Sequence, residues 1–199
     1  MEFLSALPGT VAQGLIWGIM AIGVYITYKV LDIADLTVDG SICTGAAVCT
    51  MLIINGQPVW LAMILATLAG VLAGMITGSL HIFLGIPAIL SGILTQLILW
   101  SVNLKIMGKA NQSLSARSYD VLLSQMDITS AIIILVICSV LLVALLYLFF
   151  GTELGASIRA TGCNEQMARA QGINTGFNKV LALMISNGLV GLSGGIYAK

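Results

Sequence analysis

Apolar residues run along this chain in long unbroken blocks, not in alternation or narrow stripes. Residues 3–28, 40–104, 128–152 and 180–198 contain no Asp, Glu, Lys or Arg. A helix crossing a bilayer core needs about 20 consecutive apolar residues. Continuous apolarity also argues against a transmembrane barrel, whose strands alternate. The first block predicts a helix from about Pro8 to Tyr28, with Pro8 in its first turn, where the missing N–H costs nothing. The block 40–104 is too long for two spans and fits three. Asn55-Gly56-Gln57-Pro58 is a strong turn signal, and His81, Gly85 and Pro87 mark a second break. Helices are therefore expected near Gly40–Ile54, Pro58–Leu80 and Pro87–Leu104. A polar loop, Lys105–Asp127, precedes a fifth helix, Ile128–Phe150. A polar segment, Gly151–Lys179, separates that helix from a sixth, Val180 to about Ala198. The pattern predicts an all-α polytopic membrane protein with about six transmembrane helices.

Composition agrees. Of 199 residues, 8% are charged and 59% hydrophobic, against about 25% charged in an ordinary soluble domain. A net charge of zero leaves no basic footprint for nucleic acid. The first apolar block has no preceding Lys or Arg and is too long for the core of a cleavable signal peptide, so none is expected. Lys29, Arg159, Arg169 and Lys179 would fall on one side of the membrane, and Lys105, Lys109, Arg117 and Lys199 on the other. That balance leaves the orientation open by charge. Cys43, Cys49, Cys138 and Cys163 form no C-x-x-C pair, so neither a disulfide nor a metal site is expected. Gly191-Leu192-Ser193-Gly194 matches the G-x-S-G of rhomboid intramembrane proteases. Their catalytic His lies downstream of the Ser, whereas His81 is upstream and is the only histidine. The motif is read as small residues in a packed helix, and the chain as not an enzyme. No phosphate-binding loop of the G-x-x-x-x-G-K-[ST] kind is present, so ATP, if used, belongs on another chain.

Small residues are periodic. Gly70, Gly74 and Gly78 recur every fourth position in the third helix, as do Gly14 and Gly18 in the first and Gly191 and Gly195 in the last. Such stripes let backbones approach closely, either within one bundle or at a dimer seam. The segment Asp35-Leu36-Thr37-Val38-Asp39 precedes a short helix rich in small and hydroxylated residues, beginning at Gly40 and including Gly45. Short apolar segments beside ionisable residues mark substrate paths in transporters; an aqueous loop before a short helix is the alternative. Ser91 and Thr95 share a face of the fourth helix, with Gln96 one residue round. They suit interhelical hydrogen bonding or a solute path.

The segment 151–179 is the most informative. Asn164 is a good N-cap, Glu165 complements the helix dipole, and Gly172 suits the position after a helix end. A helix of about two turns, Glu165–Gln171, is expected between two spans, as a docking element or a surface helix.

Leu154-Gly155, Arg159-Ala160, Asn164-Glu165, Ala168 and Gly172-Ile173-Asn174 resemble the cytoplasmic loop of ABC importer permeases of the branched-chain amino acid and ribose transporter family. Gly18-Ile19-Met20-Ala21-Ile22-Gly23 and Asp35-Leu36-Thr37-Val38 are similar to strings near that family's start. The wording Asp35–Gly40 is most similar to tryptophan/tyrosine-type permeases. The resemblance implies a permease subunit moving a small solute, an amino acid by subgroup, with energy from a separate ATP-binding subunit. A secondary transporter or channel without an ATPase is the alternative reading. The resemblance further implies that the loop carries the coupling helix, with Arg159, Gly162, Asn164, Glu165, Ala168, Arg169 and Gly172 as ATPase-coupling residues. Asp35, Gly40, Gly45, Ser91, Thr95 and Gln96 are the candidates for the translocation path. Expected partners are the ATPase, a second permease chain, an extracytoplasmic binding protein and membrane lipid. The chain itself is expected to hold no cofactor and no metal. Residues 1–199 read as one permease domain lacking the family's C-terminal helices. It would lie in the bacterial inner membrane with the N-terminus outside and residues 151–179 cytoplasmic. Residues Lys29–Asp39 are then expected in the cytoplasm too.

Overall fold

A computed structural model describes residues 2–109 and 128–198. The described residues are almost entirely helical. Helix α1 (Glu2–Tyr25) runs into a π-helical turn at Ile26–Val30. After an extended stretch come α2 (Val38–Ile54), α3 (Val59–Phe83) and α4 (Ala88–Met107). Then follow α5 (Ile128–Gly151), α6 (Glu153–Cys163), α7 (Glu165–Ala170) and α8 (Thr175–Tyr197). Five helical segments are long and apolar enough to cross a membrane, and α2 is a shorter apolar helix. The fold is that of a polytopic α-helical membrane protein.

Helix is forced on these sequences even where propensity is poor. Helix α5 is dominated by Ile, Val and Leu, and β-branched residues are mediocre helix formers in water. In hydrocarbon, however, every backbone N–H and C=O must be satisfied within its own segment. The ends follow local chemistry. Pro58 and Pro87 are extended residues immediately before α3 and α4. Gly56, Gly85 and Gly108 take positive φ in the turns, where residues other than glycine are strained.

Four expectations need correction. Pro8 lies within α1 rather than in its first turn. The segment after α5 holds two helices, because α6 occupies residues read as loop. Its Thr152 caps the start by accepting from the Gly155 N–H. Helix α8 begins at Thr175, capped by Asn174, so it starts five residues before the expected Val180. Residues Lys29–Asp39 do not form a simple aqueous loop, as described below. Of the expected polar loop, residues 110–127 lie outside the described residues.

Helix α8 is the centre of the bundle, the one span with more than half of its apolar window buried, at 61%. Glycines make its contacts close. A methyl added at Gly70 would meet the Asn187 carbonyl oxygen, and one at Gly74 the Leu183 carbonyl oxygen. One at Gly78 would lie 3.0 Å from the Val180 Cα. The 70/74/78 stripe thus serves packing within this chain. Gly45 and Gly194 do the same between α2 and α8, each against the other helix's backbone. Gly14 and Gly18 have nothing within 4 Å, so the α1 stripe is open in this chain.

Substitutions separate these glycines. Gly74→Leu is expected to destabilise the detergent-solubilised protein by about 1–3 kcal/mol or more, the usual cost of overpacking. Gly14→Ala should leave stability equal or slightly raised, since alanine is the better helix former. Thermal unfolding read by thiol-reactive or tryptophan fluorescence checks both.

Candidate translocation and coupling sites

The polar cluster begins where the first span breaks. The π-helical turn ends with Leu31 N–H donating to the Ile26 carbonyl at 3.1 Å. Asp32 then takes a left-handed conformation with φ 57°, which Asp tolerates better than most residues. The chain reverses and runs extended until α2. Its beginning lies against α6, where Gly162 abuts the Val30 carbonyl. Its later part enters the bundle. One Asp35 carboxylate oxygen accepts from the Thr37 N–H at 2.9 Å. The other accepts from the Asn187 amide, in the middle of α8, at 2.6 Å. The Asn187 carbonyl oxygen in turn accepts from the Ser41 hydroxyl at 2.5 Å. The Thr37 and Thr77 hydroxyls share a hydrogen bond of 2.7 Å. Asn187, Ser41, Thr37 and Thr77 are all buried, and Asp35 is half-buried. Segment 32–37 is therefore an extended link stitched to α8 and α3.

The other path candidates separate into two places. Gly40 packs on α4, where a methyl would lie 3.0 Å from Leu99 Cδ1 and 3.1 Å from the Gln96 Cα. Gly92 packs on Leu36 in the same seam. Ser91 and Thr95 are buried there, yet each hydroxyl donates to its own helix, to the Ala88 and Ser91 carbonyls respectively. Gly45 sits apart from this group, against the Gly191 backbone of α8. Asn187, Ser41, Thr37 and Thr77 were not among the sequence candidates. The available signal was an amide inside an otherwise apolar span, which is costly unless it has a partner or a role. Asn103, on the outer half of α4, has both amide atoms buried without a partner among the described residues.

At the other site, α7 is a rigid corner. Asn164 accepts from the Met167 N–H at 3.0 Å as N-cap. Gly172 follows the helix with φ 82°, and the Ile173 N–H returns to the Ala168 carbonyl at 3.0 Å. Glu165 accepts from Lys179 of α8 at 2.7 Å and from Arg169 at 3.0 Å. Arg169 also donates to Thr175 at 2.9 Å. Arg159 donates to the Phe150 carbonyl at the end of α5. Asn178 donates to Thr161 of α6 at 3.1 Å. Ala168 is buried, so it anchors α7 to its own chain and offers nothing to a partner. The outward surface is Gln166, Met167 and Ala170, with Met167 60% exposed. Gly162 likewise permits close packing within the chain.

The hydrogen bond from Lys179 holds the Glu165 carboxyl below the usual carboxylate range, aided by the Lys179 and Arg169 charges and opposed by partial burial. A depressed folded-state pKa stabilises above the unfolded value, about 4.3 for Glu, and that contribution disappears as pH falls through the folded value. The melting-temperature gap between wild type and Glu165→Gln should be full near pH 7 and close below about pH 4. A gap that persists unchanged at acid pH would show that the ion pair is not its source.

A bundle of spanning helices centred on α8, with a break after α1 and a short capped helix on the loop before α8, defines a polytopic membrane protein. Residues 7–199 match the family described as branched-chain amino acid transport system / permease component, and the chain belongs to that family. It is 42% identical over 196 residues to the tyrosine transport system permease protein of Clostridioides difficile (strain R20291). That alignment covers 98% of this chain and 65% of the relative. It is 33% identical over 196 residues to an uncharacterized protein of Rickettsia prowazekii (strain Madrid E), covering 98% and 69%. The chain thus spans about two thirds of the length of these relatives. No solved structure matches.

Proposed function

We propose that the chain is the membrane-spanning part of an ATP-driven importer of an aromatic amino acid, tyrosine or a close analogue. The family membership over residues 7–199 supports the transport role. The name of the Clostridioides relative supports the substrate. In this reading residues 1–199 belong to one permease domain, and residues 151–179 are its cytoplasmic loop. The chain lies in a bacterial inner membrane with its N-terminus outside. It is a conduit and not an enzyme: ATP is bound and hydrolysed on a separate cytoplasmic subunit. A second permease chain completes the path, and an extracytoplasmic binding protein delivers the solute.

The observation that carries the coupling role is the build of α7. Six residues are too few for a stable isolated helix. Both ends are nevertheless capped, one face is anchored by Ala168, and Glu165 is tied to α8. Such a helix transmits a push from a docked partner to the bundle as a rigid-body movement. The exposed Met167 is the apolar anchor for the partner's groove, a usual role for a flexible thioether.

The test is co-purification of the full-length permease with the ATP-binding subunit of its transport system, and uptake of radiolabelled tyrosine into proteoliposomes. Met167→Glu is expected to cut pairing and ATP-driven uptake at least tenfold with an unchanged melting temperature. Wild-type pairing and uptake by that variant would remove α7 from the coupling role. Preference for leucine or a sugar over tyrosine would overturn the substrate assignment.

A further inference from the structure

Helix α8 is tied to both sites already described. At its inner end Lys179 holds Glu165 of α7, Asn178 holds Thr161 of α6, and Thr175 holds Arg169. Eight residues on, about 12 Å along the helix axis, Asn187 holds Asp35 and Ser41. The intervening stretch Val180–Ser186 contains neither glycine nor proline, whereas Gly188, Gly191, Gly194 and Gly195 all lie beyond Asn187. Helix α3 follows α8 closely over the same stretch through Gly74 and Gly70, and it carries Thr77, the partner of Thr37.

We propose that Asn187 is the positioning residue that transmits movement of the α7 corner to the extended segment 32–37, acting as a latch between α8 and the start of α2. This rests on the transport reading above. The amide suits the role chemically. Its N–H₂ group donates to a carboxylate while its oxygen accepts a hydroxyl, so one side chain locks two elements with opposite hydrogen-bonding demands. Both Asp35 oxygens are already engaged from within the chain, which favours a structural latch over direct capture of the solute's ammonium group. When α8 shifts with α7, the segment must either follow or lose these bonds.

Hydrogen-bond polarity supplies a test by exchange. Asn187→Asp alone sets two carboxylates against each other, and Asp35→Asn alone weakens the charge-assisted bond. The double exchange Asp35→Asn with Asn187→Asp re-forms the link between the segment and α8 with its polarity reversed, at the cost of the bond to the Leu183 carbonyl and of a carboxylate at an enclosed position. The carboxylate introduced on α8 accepts from both Ser41 and the new amide, and the Thr37 N–H still finds an oxygen. The full-length permease is reconstituted with its ATPase in proteoliposomes, and tyrosine uptake per ATP hydrolysed is measured beside the melting temperature. Asn187→Leu and Asn187→Asp are expected to lower uptake per ATP at least tenfold. The double exchange should raise it above either single exchange, at a melting temperature below that of wild type because the carboxylate is enclosed. A double-exchange protein that folds yet transports no better than either single exchange would place the requirement on the Asp35 charge itself, as solute recognition demands, and overturn the latch. Wild-type uptake per ATP by Asn187→Leu would overturn it too, with the transport reading intact. Absence of ATP-driven uptake by the wild-type complex would overturn the transport reading and the latch together.

Discussion

Hydrocarbon offers no partner to a bare peptide group, so a chain may leave helical geometry inside a membrane only where the protein supplies the missing hydrogen bonds. The link between α1 and α2 lives under that constraint. It leaves helix at Val30 and runs extended beside the bundle, and its turn is closed by its own Asp35 carboxylate. The carboxylate is in turn fixed by an amide from α8. Remove that amide and the link loses its tie to α8, leaving the Thr37–Thr77 bond and the packing of Leu31 and Ile33 to hold it. Helix α2 is affected in turn, because its first residues follow directly on Thr37. At 17 residues α2 is about 25 Å long, and it follows directly on the extended link.

Helix α8 meets its neighbours in two different ways along its length. Its C-terminal half is glycine-rich and touches α2 and α3 backbone to backbone through Gly191 and Gly194, and α3 keeps a close approach to the N-terminal half through Gly74 and Gly78. Water-driven burial contributes little to such contacts in lipid, so close dispersion contact and weak Cα–H···O bonds have to carry them. Its N-terminal half is joined also by side chains that discriminate between partners: Lys179, Asn178, Ser186 and Asn187. Ser186 donates to the Gly23 carbonyl at 2.7 Å, and a methyl at Gly23 would lie 2.8 Å from the Ser186 carbonyl. Smooth contacts hold helices together over a range of small shifts, whereas polar contacts define one register. Most of these register-setting contacts lie between the α7 corner and the midpoint of α8, with Ser193, which donates to the Ile16 carbonyl at 2.9 Å, as a further one beyond it.

The span architecture was legible because hydrophobic length is a strong signal: the starts of α3 and α4 follow Pro58 and Pro87 to within one residue, and α5 begins at Ile128 as expected. The α7 caps were legible for a similar reason, since Asn164 and Gly172 act through local geometry alone. Helix α6 was missed because Glu153–Cys163 is polar and carries two glycines, and its stability comes from packing Ile158 into the cluster with Ile26 and Leu183. The beginning of α8 was misplaced because charge was taken as the boundary. Lys179 lies inside the helix, reaching for Glu165 rather than for water. Asn187 went unnoticed because its meaning depends on which residue stands 152 positions earlier, and no local pattern encodes that. Ala168, recognised in the loop motif, is buried against its own chain.

An amide partner orients a carboxylate without neutralising it. Among the described residues the ion pairs are those of Glu165 with Arg169 and Lys179, and Asp35 has only Asn187 and the Thr37 N–H. Burying such a charge completely would cost several kcal/mol, and Asp35 accordingly keeps part of its surface exposed. The same reasoning explains why Asn187 can be fully enclosed: it is neutral, and its carbonyl oxygen and amide group are satisfied within the bundle by Ser41, Asp35 and the Leu183 carbonyl. The charged member therefore has to sit at the wet edge of the pair and the neutral member at the dry centre. That polarity gives the α1–α2 link one exposed face and one fastened to α8, as the proposed latch requires.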